Sequence, residues 1–271
     1  MSRTAPAPRL HPAVRGFDRA AEAYERARPG YPAPAVRYLA RALRLGRGRT
    51  VVELASGTGK FTRALRPTGA AIVAVEPTAG MRRVFARATP EVAVVAGTAE
   101  ATPFPNGFAD AVVVAQAFHW FRPRPAVAEI ARVLRPGGGL GIVWNNRDVS
   151  TPLARRMSAI LSRYRGTTPD TPRAADRRSR RDGEPWLAVF DRRDGPFGPL
   201  RHRVFRHRQR LTPAGVVDRV LSVSIIAVLP AAERREVTRE IRRFLAEDPT
   251  VRGRAALELP YTTDVYWTRR R

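Results

Sequence analysis

Five apolar runs, separated by helix-like segments, constrain the fold of this chain more than any other feature. The runs are Thr50–Leu54, Ala70–Glu76, Glu91–Gly97, Ala109–Ala117 and Leu140–Trp144. They are continuously apolar instead of alternating between apolar and polar residues, which is typical of strands covered on both faces. Helical periodicity lies between the runs. Together with two later strand-like segments, this pattern predicts an α/β protein with a doubly wound, seven-stranded, mostly parallel sheet.

The segments outside these runs suggest how the chain is organised. Residues 1–12 are interrupted by proline and are expected to form a disordered tail. Residues 13–48 contain two helical patterns and are expected to form an N-terminal cap. Residues 49–148 carry the five runs, and residues 149–271 supply further helices and the last strands, at 200–211 and 257–270. No domain boundary is evident, so residues 13–271 are expected to form one domain.

Composition excludes several classes of protein. The chain has 271 residues and no cysteine, so neither a disulfide framework nor a thiolate metal site can form, and we expect no metal. No apolar segment is long enough to cross a bilayer. The N-terminus carries proline and arginine where a signal peptide needs a continuous apolar stretch. We therefore expect a cytoplasmic protein without membrane insertion.

The formal net charge of +25 raises the possibility of a nucleic-acid partner. Nearly all the positive charge is arginine, scattered through segments rich in alanine, proline and glycine. The densest cluster, Arg173–Glu184, lacks the interleaved aromatic residues that stack on bases. A nucleic-acid partner is therefore not the leading expectation.

The turn after the first apolar run, ELASGTGKFT, can be compared with three nucleotide-binding patterns. A P-loop would need glycine at Leu54 and a hydroxyl residue at Phe61, so that pattern fails. A dinucleotide-binding turn would need glycine at Thr62, which weakens the case for NAD without eliminating it. A nucleoside without a pyrophosphate suits the turn, because glycines let the backbone approach a ligand and Glu76, 17 residues after Gly59, can accept ribose hydroxyls.

The residues also resemble a known family. VVELASGTGKFT, AIVAVEPTAGMRRVF, VVAGTAEATPFPNGFADAVVVAQAFHWF and EIARVLRPGGGLGIVWNNRD are similar to the successive motifs of class I S-adenosylmethionine-dependent methyltransferases. The likeness is greatest to the small-molecule branch that includes trans-aconitate-type and quinone-biosynthesis-type enzymes, and it spans residues 15 to 270. One departure is Ala55, which replaces the first glycine of the family's turn and predicts crowding there.

The resemblance implies S-adenosylmethionine as cofactor and a small-molecule methyl acceptor. The family's cofactor contacts come from the ends of the first, second and fourth strands, from the turn after the first strand, from the segment after the third strand and from the ARPGYP segment of the cap. These residues are Glu53, Ala55, Gly57, Gly59, Glu76, Thr98, Ala99, Glu100, Gln116, Arg28 and Tyr31. A non-catalytic cofactor-binding protein and a basic nucleic-acid-binding protein on the same fold are the alternatives.

Several residues near the expected methyl group have two interpretations. His119 could act as a general base, but Phe118, Trp120 and Phe121 make a packed histidine equally plausible. Trp120 and Trp144 are expected to form the substrate-side wall, and Asn145 could orient a polar substrate or simply end its strand. The same cofactor-binding residues are compatible with methylation on oxygen, nitrogen or carbon. The sequence does not determine the oligomeric state.

Overall fold

The computed structural model describes residues 21–164, 186–190 and 194–271. The strands are β1 Thr50–Leu54, β2 Ala71–Val75, β3 Ala93–Val95, β4 Ala109–Ala115, β5 Leu134–Arg147, β6 Arg201–Leu211 and β7 Leu257–Arg269. The helices are α1 (residues 21–27), α2 Ala33–Leu43, α3 Lys60–Leu65, α4 Ala79–Ala88, α5 Pro123–Val133, α6 Pro152–Arg163, α7 Pro213–Leu221, α8 Ser224–Ala227 and α9 Ala231–Glu247. Short 3-10 helices occupy Arg66–Thr68, Phe118–Trp120 and Leu187–Phe190.

The strands form one sheet in the order β3-β2-β1-β4-β5-β7-β6. Strands β1 to β5 pair in parallel, whereas β7 is antiparallel to both β5 and β6. The predicted seven-stranded, mostly parallel sheet is therefore confirmed. The strand order reverses between β1 and β4, and ligands of open α/β sheets bind outside the carboxyl ends of the strands at such a point.

Both faces of the central strands are buried, as the continuous apolar runs predicted. Val52 and Leu54 of β1 pack into a cluster on one face of the sheet, together with residues of α5. Val51 packs into a second cluster on the opposite face, with Leu39 and Leu43 of α2. Alternating residues of one strand therefore enter two different cores, and this explains the absence of a polar face.

Strand β5 begins six residues earlier than the sequence pattern predicted, because its glycines pair within the sheet. A Cβ on Gly139 would lie 2.6 Å from Leu43, and one on Gly141 would lie 2.8 Å from Leu39. The glycines thus let α2 pack directly against β5. The pairing with β4 shifts register between Ala109 and Ala111, so the first residues of β5, before the predicted run, form an irregular part of the strand.

The parallel strands β2, β3 and β4 are shorter than predicted, and β2 lacks the predicted end residues Ala70 and Glu76. Strand β3 lies at the edge of the sheet and pairs with β2 only over Ala93–Val95, so the rest of the apolar run lacks a strand partner. Strand β4 ends at Ala115 because Gln116 adopts a positive φ of 63°. That turn brings Gln116 to the carboxyl end of the sheet.

The C-terminal helices form their own apolar cluster beside the sheet. Residues of α6, α7 and α9 pack against the first part of β7, including Leu259 and Tyr261. Thr212 caps α7, since its Oγ1 accepts a hydrogen bond of 3.0 Å from the Gly215 amide. The expected disordered tail, the irregular segment Ala174–Pro185 and the arginine-rich cluster lie outside the described residues. In the described part of the chain, no helix has the length and apolarity needed to span a bilayer.

Candidate cofactor site

The turn between β1 and α3 is built from three left-handed residues. Ala55, Gly57 and Gly59 have φ values of 51°, 59° and 81°. This conformation is natural for glycine but strained for alanine, by about 1–2 kcal/mol. The left-handed conformation of Ala55 therefore costs backbone free energy. The sequence predicted steric crowding at this position. Strain of this kind is commonly found where a ligand binds.

The two glycines of the turn have different surroundings. A Cβ on Gly57 would meet nothing within 4 Å, so this backbone faces open space. A Cβ on Gly59 would lie 2.9 Å from the Phe85 ring and 3.0 Å from Thr89 Oγ1. Gly57 is thus open to a ligand, whereas the space beside Gly59 is filled by α4. Lys60 begins α3, as predicted.

Two buried carboxyl groups lie at the ends of β1 and β2. Glu76 is 4% exposed, and its Oε2 accepts a 2.9 Å hydrogen bond from the Gly57 amide. Its Oε1 accepts from the Thr78 amide at 3.0 Å and from Thr78 Oγ1 at 2.7 Å. Burial raises the pKa of Glu76, and these hydrogen bonds oppose the rise. Glu76 therefore fixes the shape of the turn and holds Gly57 in place.

Glu53 is more isolated than Glu76. It is 1% exposed and accepts one hydrogen bond, of 2.5 Å, from Thr62 Oγ1 of α3. Burial raises the pKa of Glu53 to about 8, with the Thr62 hydroxyl acting in the opposite direction and the neighbouring Glu76 charge adding to the rise. At neutral pH the Glu53 carboxyl group is therefore mainly protonated.

Several polar groups around the turn lack a hydrogen-bond partner among the residues that the structure describes. They are Ser56 Oγ, Thr58 Oγ1 and Gln116 Nε2, and all three atoms are buried. Buried polar groups are normally paired, so unpaired donors at one place indicate a site that a polar ligand completes. The open Cβ position of Gly57 lies within the same turn. These features fit a nucleoside cofactor.

Within the N-terminal cap, residues 27–30 are held over this turn by long-range hydrogen bonds. Arg28 Nη2 donates to the Ser222 carbonyl at 2.9 Å, Asn145 Nδ2 to the Gly30 carbonyl at 2.9 Å and Gln209 Nε2 to the Ala27 carbonyl at 3.0 Å. Tyr31 packs edge-on against Phe61 of α3, with ring centroids 4.7 Å apart. The cap is thus attached to β5, β6 and the end of α7.

These elements line an open cleft. It brings together seven residues predicted from the sequence, namely Arg28, Tyr31, Glu53, Ala55, Gly57, Gln116 and Asn145. It also includes residues that the sequence analysis did not assign to the site: Tyr24, Pro29, Ser56, Thr58, Lys60, Phe61, Ala115 and Arg219. Ser56 and Thr58 stand inside the quoted turn, and a lone arginine in the apolar helix VVDRVL was the available signal for Arg219.

Other predicted site residues lie away from this cleft. Thr98 and Ala101 form an isolated antiparallel bridge, and Ala99 between them is buried. Glu100 accepts a 2.8 Å hydrogen bond from the Arg122 amide and so connects this loop to the start of α5. Gly59 and Glu76 are not among the residues that line the cleft, but the Glu76 carboxylate reaches the cleft wall through its hydrogen bond with the Gly57 amide. The adenine-binding role of residues 98–100 stays a prediction.

The aromatic residues near the carboxyl end of β4 form a group of their own. His119 is exposed, and its ring centroid lies 4.4 Å from that of Trp120 and 5.0 Å from that of Trp144. Trp144 also approaches Trp186, at 6.1 Å, and its buried Nε1 has no hydrogen-bond partner. None of His119, Trp120 and Trp144 lines the cleft. Their predicted substrate-side roles stay predictions.

Within the described ranges, no cluster of histidine, cysteine, aspartate or glutamate has the arrangement of a metal site. The fold and the cleft together define a doubly wound α/β protein with a cleft at the strand-order reversal, where ligands of such sheets bind.

Comparison with known proteins gives the family. Residues 52–142 match the sequence profile of a methyltransferase domain. An uncharacterized methyltransferase of Mycobacterium tuberculosis is 37% identical over 249 residues, which cover 91% of this chain and 92% of that protein. An uncharacterized methyltransferase-like protein of Schizosaccharomyces pombe is 34% identical, covering 89% of this chain and 90% of its own length. The chain belongs to the methyltransferase family.

A solved structure from Anaeromyxobacter dehalogenans has the same fold. It superimposes with a TM-score of 0.60 at 24% identity, over 90% of this chain and 97% of that one. The seven-stranded sheet with flanking helices is therefore the Rossmann-like fold of class I methyltransferases.

Proposed function

We propose that this chain transfers a methyl group from S-adenosylmethionine to a small-molecule acceptor. The observation that carries the proposal is the turn at residues 55–59, where open backbone at Gly57 and the unpaired groups of Ser56, Thr58 and Gln116 face one cleft. Membership of the methyltransferase family supports the same cofactor. The trans-aconitate and quinone branch belongs to this proposal, on the strength of the quoted motifs.

Different residues would bind different parts of the cofactor. Ser56, Thr58 and Gln116 would donate to the ribose and methionine part of the cofactor, and Arg28 and Tyr31 would cover the methionine end. Glu76 would accept hydrogen bonds from the ribose hydroxyl groups. Its three present hydrogen bonds leave about one of four acceptor positions free, so the ribose would share the carboxylate with Gly57.

When bound, the cofactor supplies an electrophilic methyl group on a sulfonium. The protein then has to align the acceptor in line with the carbon–sulfur bond and to exclude water. The cap, tied to the sheet by Asn145 and Gln209, is placed to exclude water from the cleft. The acceptor forms a bond to the methyl carbon, and the electron pair of the broken bond stays on sulfur.

The direct test is calorimetric titration with S-adenosylhomocysteine, with NAD as the control ligand. Micromolar binding of S-adenosylhomocysteine alone is expected. Binding of NAD alone would contradict the proposed cofactor. Binding of neither would leave the turn as scaffold only.

Replacing Glu76 with alanine is expected to weaken S-adenosylhomocysteine binding by about 1.5–3 kcal/mol, because a hydrogen bond to a charged group is lost. Since Glu76 also holds the Gly57 amide, the variant is compared with Thr78→Val, which removes one hydrogen bond to Glu76 but keeps its carboxylate. The Glu76→Ala substitution should weaken the binding of a 2′-deoxy analogue less than it weakens the binding of S-adenosylhomocysteine itself. Equal losses for both ligands would reject a ribose contact.

Replacing His119 with alanine separates a base from a packed ring. If His119 accepts a proton from the acceptor, turnover is expected to fall at least about 100-fold while S-adenosylhomocysteine affinity is unchanged. The measurement is single-turnover methyl transfer beside calorimetry. Parallel losses of activity and thermal stability would instead assign the ring to packing with Trp120 and Trp144.

A further inference from the structure

A surface of arginine and aromatic side chains lies on the side of the sheet that α2 covers. The edge strand β6 and its neighbour β7 contribute three arginines, and α2 with its C-cap contributes three more at a spacing of four and three residues, which places them on one side of the helix. These six residues, here called the arginine surface, are Arg37, Arg41, Arg44, Arg201, Arg203 and Arg269. All except Arg269 are exposed.

Aromatic rings support the guanidinium groups of the β6 arginines. The Arg203 guanidinium lies 5.1 Å from the ring centroid of Tyr38 on α2 and 5.4 Å from that of Phe205. The Arg201 guanidinium lies 5.0 Å from the Trp267 ring, whose Nε1 donates a 3.1 Å hydrogen bond to the Tyr38 hydroxyl. Tyr38 and Trp267, 229 positions apart in the chain, thus join the helix and the sheet beneath the arginines.

The positive charge of this surface has no acid beside it in the chain. Residues 26–52, around α2, contain no aspartate or glutamate, and neither do residues 195–217, around β6. On β7, Asp264 lies on the opposite face of the sheet, where its carboxylate pairs with His202 and Asn146. Among the residues that the structure describes, no member of the arginine surface forms an ion pair with an acid.

The cations of the surface also act on one another. Arg269 donates hydrogen bonds to two backbone carbonyls, and burial together with the neighbouring charges of Arg44 and Arg49 lowers its pKa. Like charges held this close repel each other, and an anionic partner relieves that repulsion.

Two simpler explanations account for only part of this surface. Charged side chains on an edge strand prevent unwanted strand pairing, but Arg37, Arg41 and Arg269 do not lie on the edge strand. A general excess of arginine would mix cations with acids, and that mixed pattern is found on α9, whose sequence is AAERREVTREIRRFLAE. The arginine surface instead combines one sign of charge with aromatic rings.

Single-stranded nucleic acid is the partner whose chemistry this surface fits. Guanidinium forks bind phosphates, and unpaired bases stack on aromatic rings and on guanidinium planes. An anionic membrane would instead favour exposed apolar side chains that enter the lipid. Tyr38, Phe205 and Trp267 are only partly exposed, because guanidinium groups lie over their rings.

We propose that the arginine surface binds single-stranded nucleic acid. This function goes beyond the proposed methyl transfer and does not depend on it. In the sheet Trp267 pairs with Gly141, four residues before Asn145, and Asn145 lines the cleft. Since four strand residues span about 13 Å, the arginine surface is separate from the cleft.

The test measures binding of a fluorescein-labelled single-stranded oligonucleotide of about 20 nucleotides, longer than the roughly 4–16 nucleotides that one single-strand-binding domain covers. The measurement is fluorescence anisotropy with the full chain at several salt concentrations. Replacing Arg41, Arg201 and Arg203 together with glutamine is expected to weaken binding about tenfold or more at physiological salt. The slope of log K against log salt should become shallower by about 2, because each phosphate contact to a single strand contributes about 0.7.

The matched control removes the same charge from the mixed surface of α9. It replaces the exposed residues Arg235, Arg239 and Arg242 with glutamine and is expected to change the affinity less than about twofold. Equal losses in the two triple variants would overturn the proposal, because net charge alone would then explain the binding.

Replacing Arg41, Arg201 and Arg203 with lysine separates stacking from charge. Lysine keeps the cation and loses the plane, so the salt slope is expected to stay while the affinity falls about fivefold or more. Full affinity in the lysine variant would contradict recognition of bases. Tighter binding of polyphosphate, or of phosphatidylserine vesicles, through the same arginines would overturn nucleic acid as the partner.

Two further measurements keep the outcome clear. If the glutamine triple variant does not fold, as judged by its melting temperature, the exposed pair Arg37→Gln and Arg41→Gln on α2 decides the question by the same comparison. S-adenosylhomocysteine affinity is expected to be unchanged in every variant. Absent oligonucleotide binding in a chain that binds S-adenosylhomocysteine would reject this inference alone, whereas absent S-adenosylhomocysteine binding would reject only the proposed function.

Discussion

Replacing Glu53 with glutamine is expected to raise the free energy of unfolding of the ligand-free protein at pH 9 by roughly 3–5 kcal/mol, but by only about 1 kcal/mol or less at pH 5. The cause is the buried carboxyl group, whose pKa rises to about 8 in the folded protein. Folding therefore favours its protonated form. That contribution is complete below the pKa of the unfolded chain, near 4.5, and is lost as the pH rises through 8.

Glutamine removes this titration but can still accept the hydrogen bond from Thr62. Urea unfolding between pH 5 and pH 9 measures the effect. The matched control is Glu258→Gln, an exposed acid on β7 that pairs with Arg208, and its pH profile should run parallel to that of the unaltered protein. A Glu53→Gln profile that also ran parallel would show that Glu53 is ionised throughout.

The second large effect concerns the two glycines of the turn. Gly59→Ala is expected to lower the free energy of unfolding by about 2–5 kcal/mol, since it adds the strain of a left-handed alanine to a Cβ clash with Phe85. Phe85 is fully buried, so it has little room to move. Chemical denaturation measures the loss.

Gly57→Ala is the matched comparison, because its φ is also positive but its Cβ would meet open space. We expect a smaller stability loss, of about 1–2 kcal/mol, together with a marked loss of S-adenosylhomocysteine affinity. Gly59→Ala is therefore expected to impair mainly folding, and Gly57→Ala mainly binding. Equal stability losses at the two positions would show that backbone strain alone decides both.

Much of the site could be predicted because it follows strands in sequence. Gly57 follows the first predicted strand and Gln116 lies near the end of the fourth, and the carboxyl ends of neighbouring parallel strands meet at one edge of the sheet. The ARPGYP cap was assigned to the site by its resemblance to a family motif. The hydrogen bonds that hold it, from Asn145 and Gln209, join residues more than 100 positions apart and have no local signal.

The same limit explains the residues that were misjudged or missed. Gly139 was placed outside the fifth predicted strand because glycine commonly ends regular structure, whereas in the structure it belongs to β5 and, with Gly141, admits Leu39 and Leu43 of α2. Arg219 could not be assigned, because an arginine on a helix usually faces water. Only its position beside Tyr261 and Arg28 shows that it is buried.

The sequence by itself determined the fold class and the place of the glycine-containing turn after β1, since apolar periodicity and glycine spacing act over a few residues. The tertiary structure decided which members of that turn face the cleft and which support it. Gly57 and Gly59 are alike in sequence, yet α4 fills the space beside one and leaves the other open. Packing between distant elements sets this difference, as it sets the burial of Glu53 and of Arg219, because burial depends on the whole surroundings of a side chain.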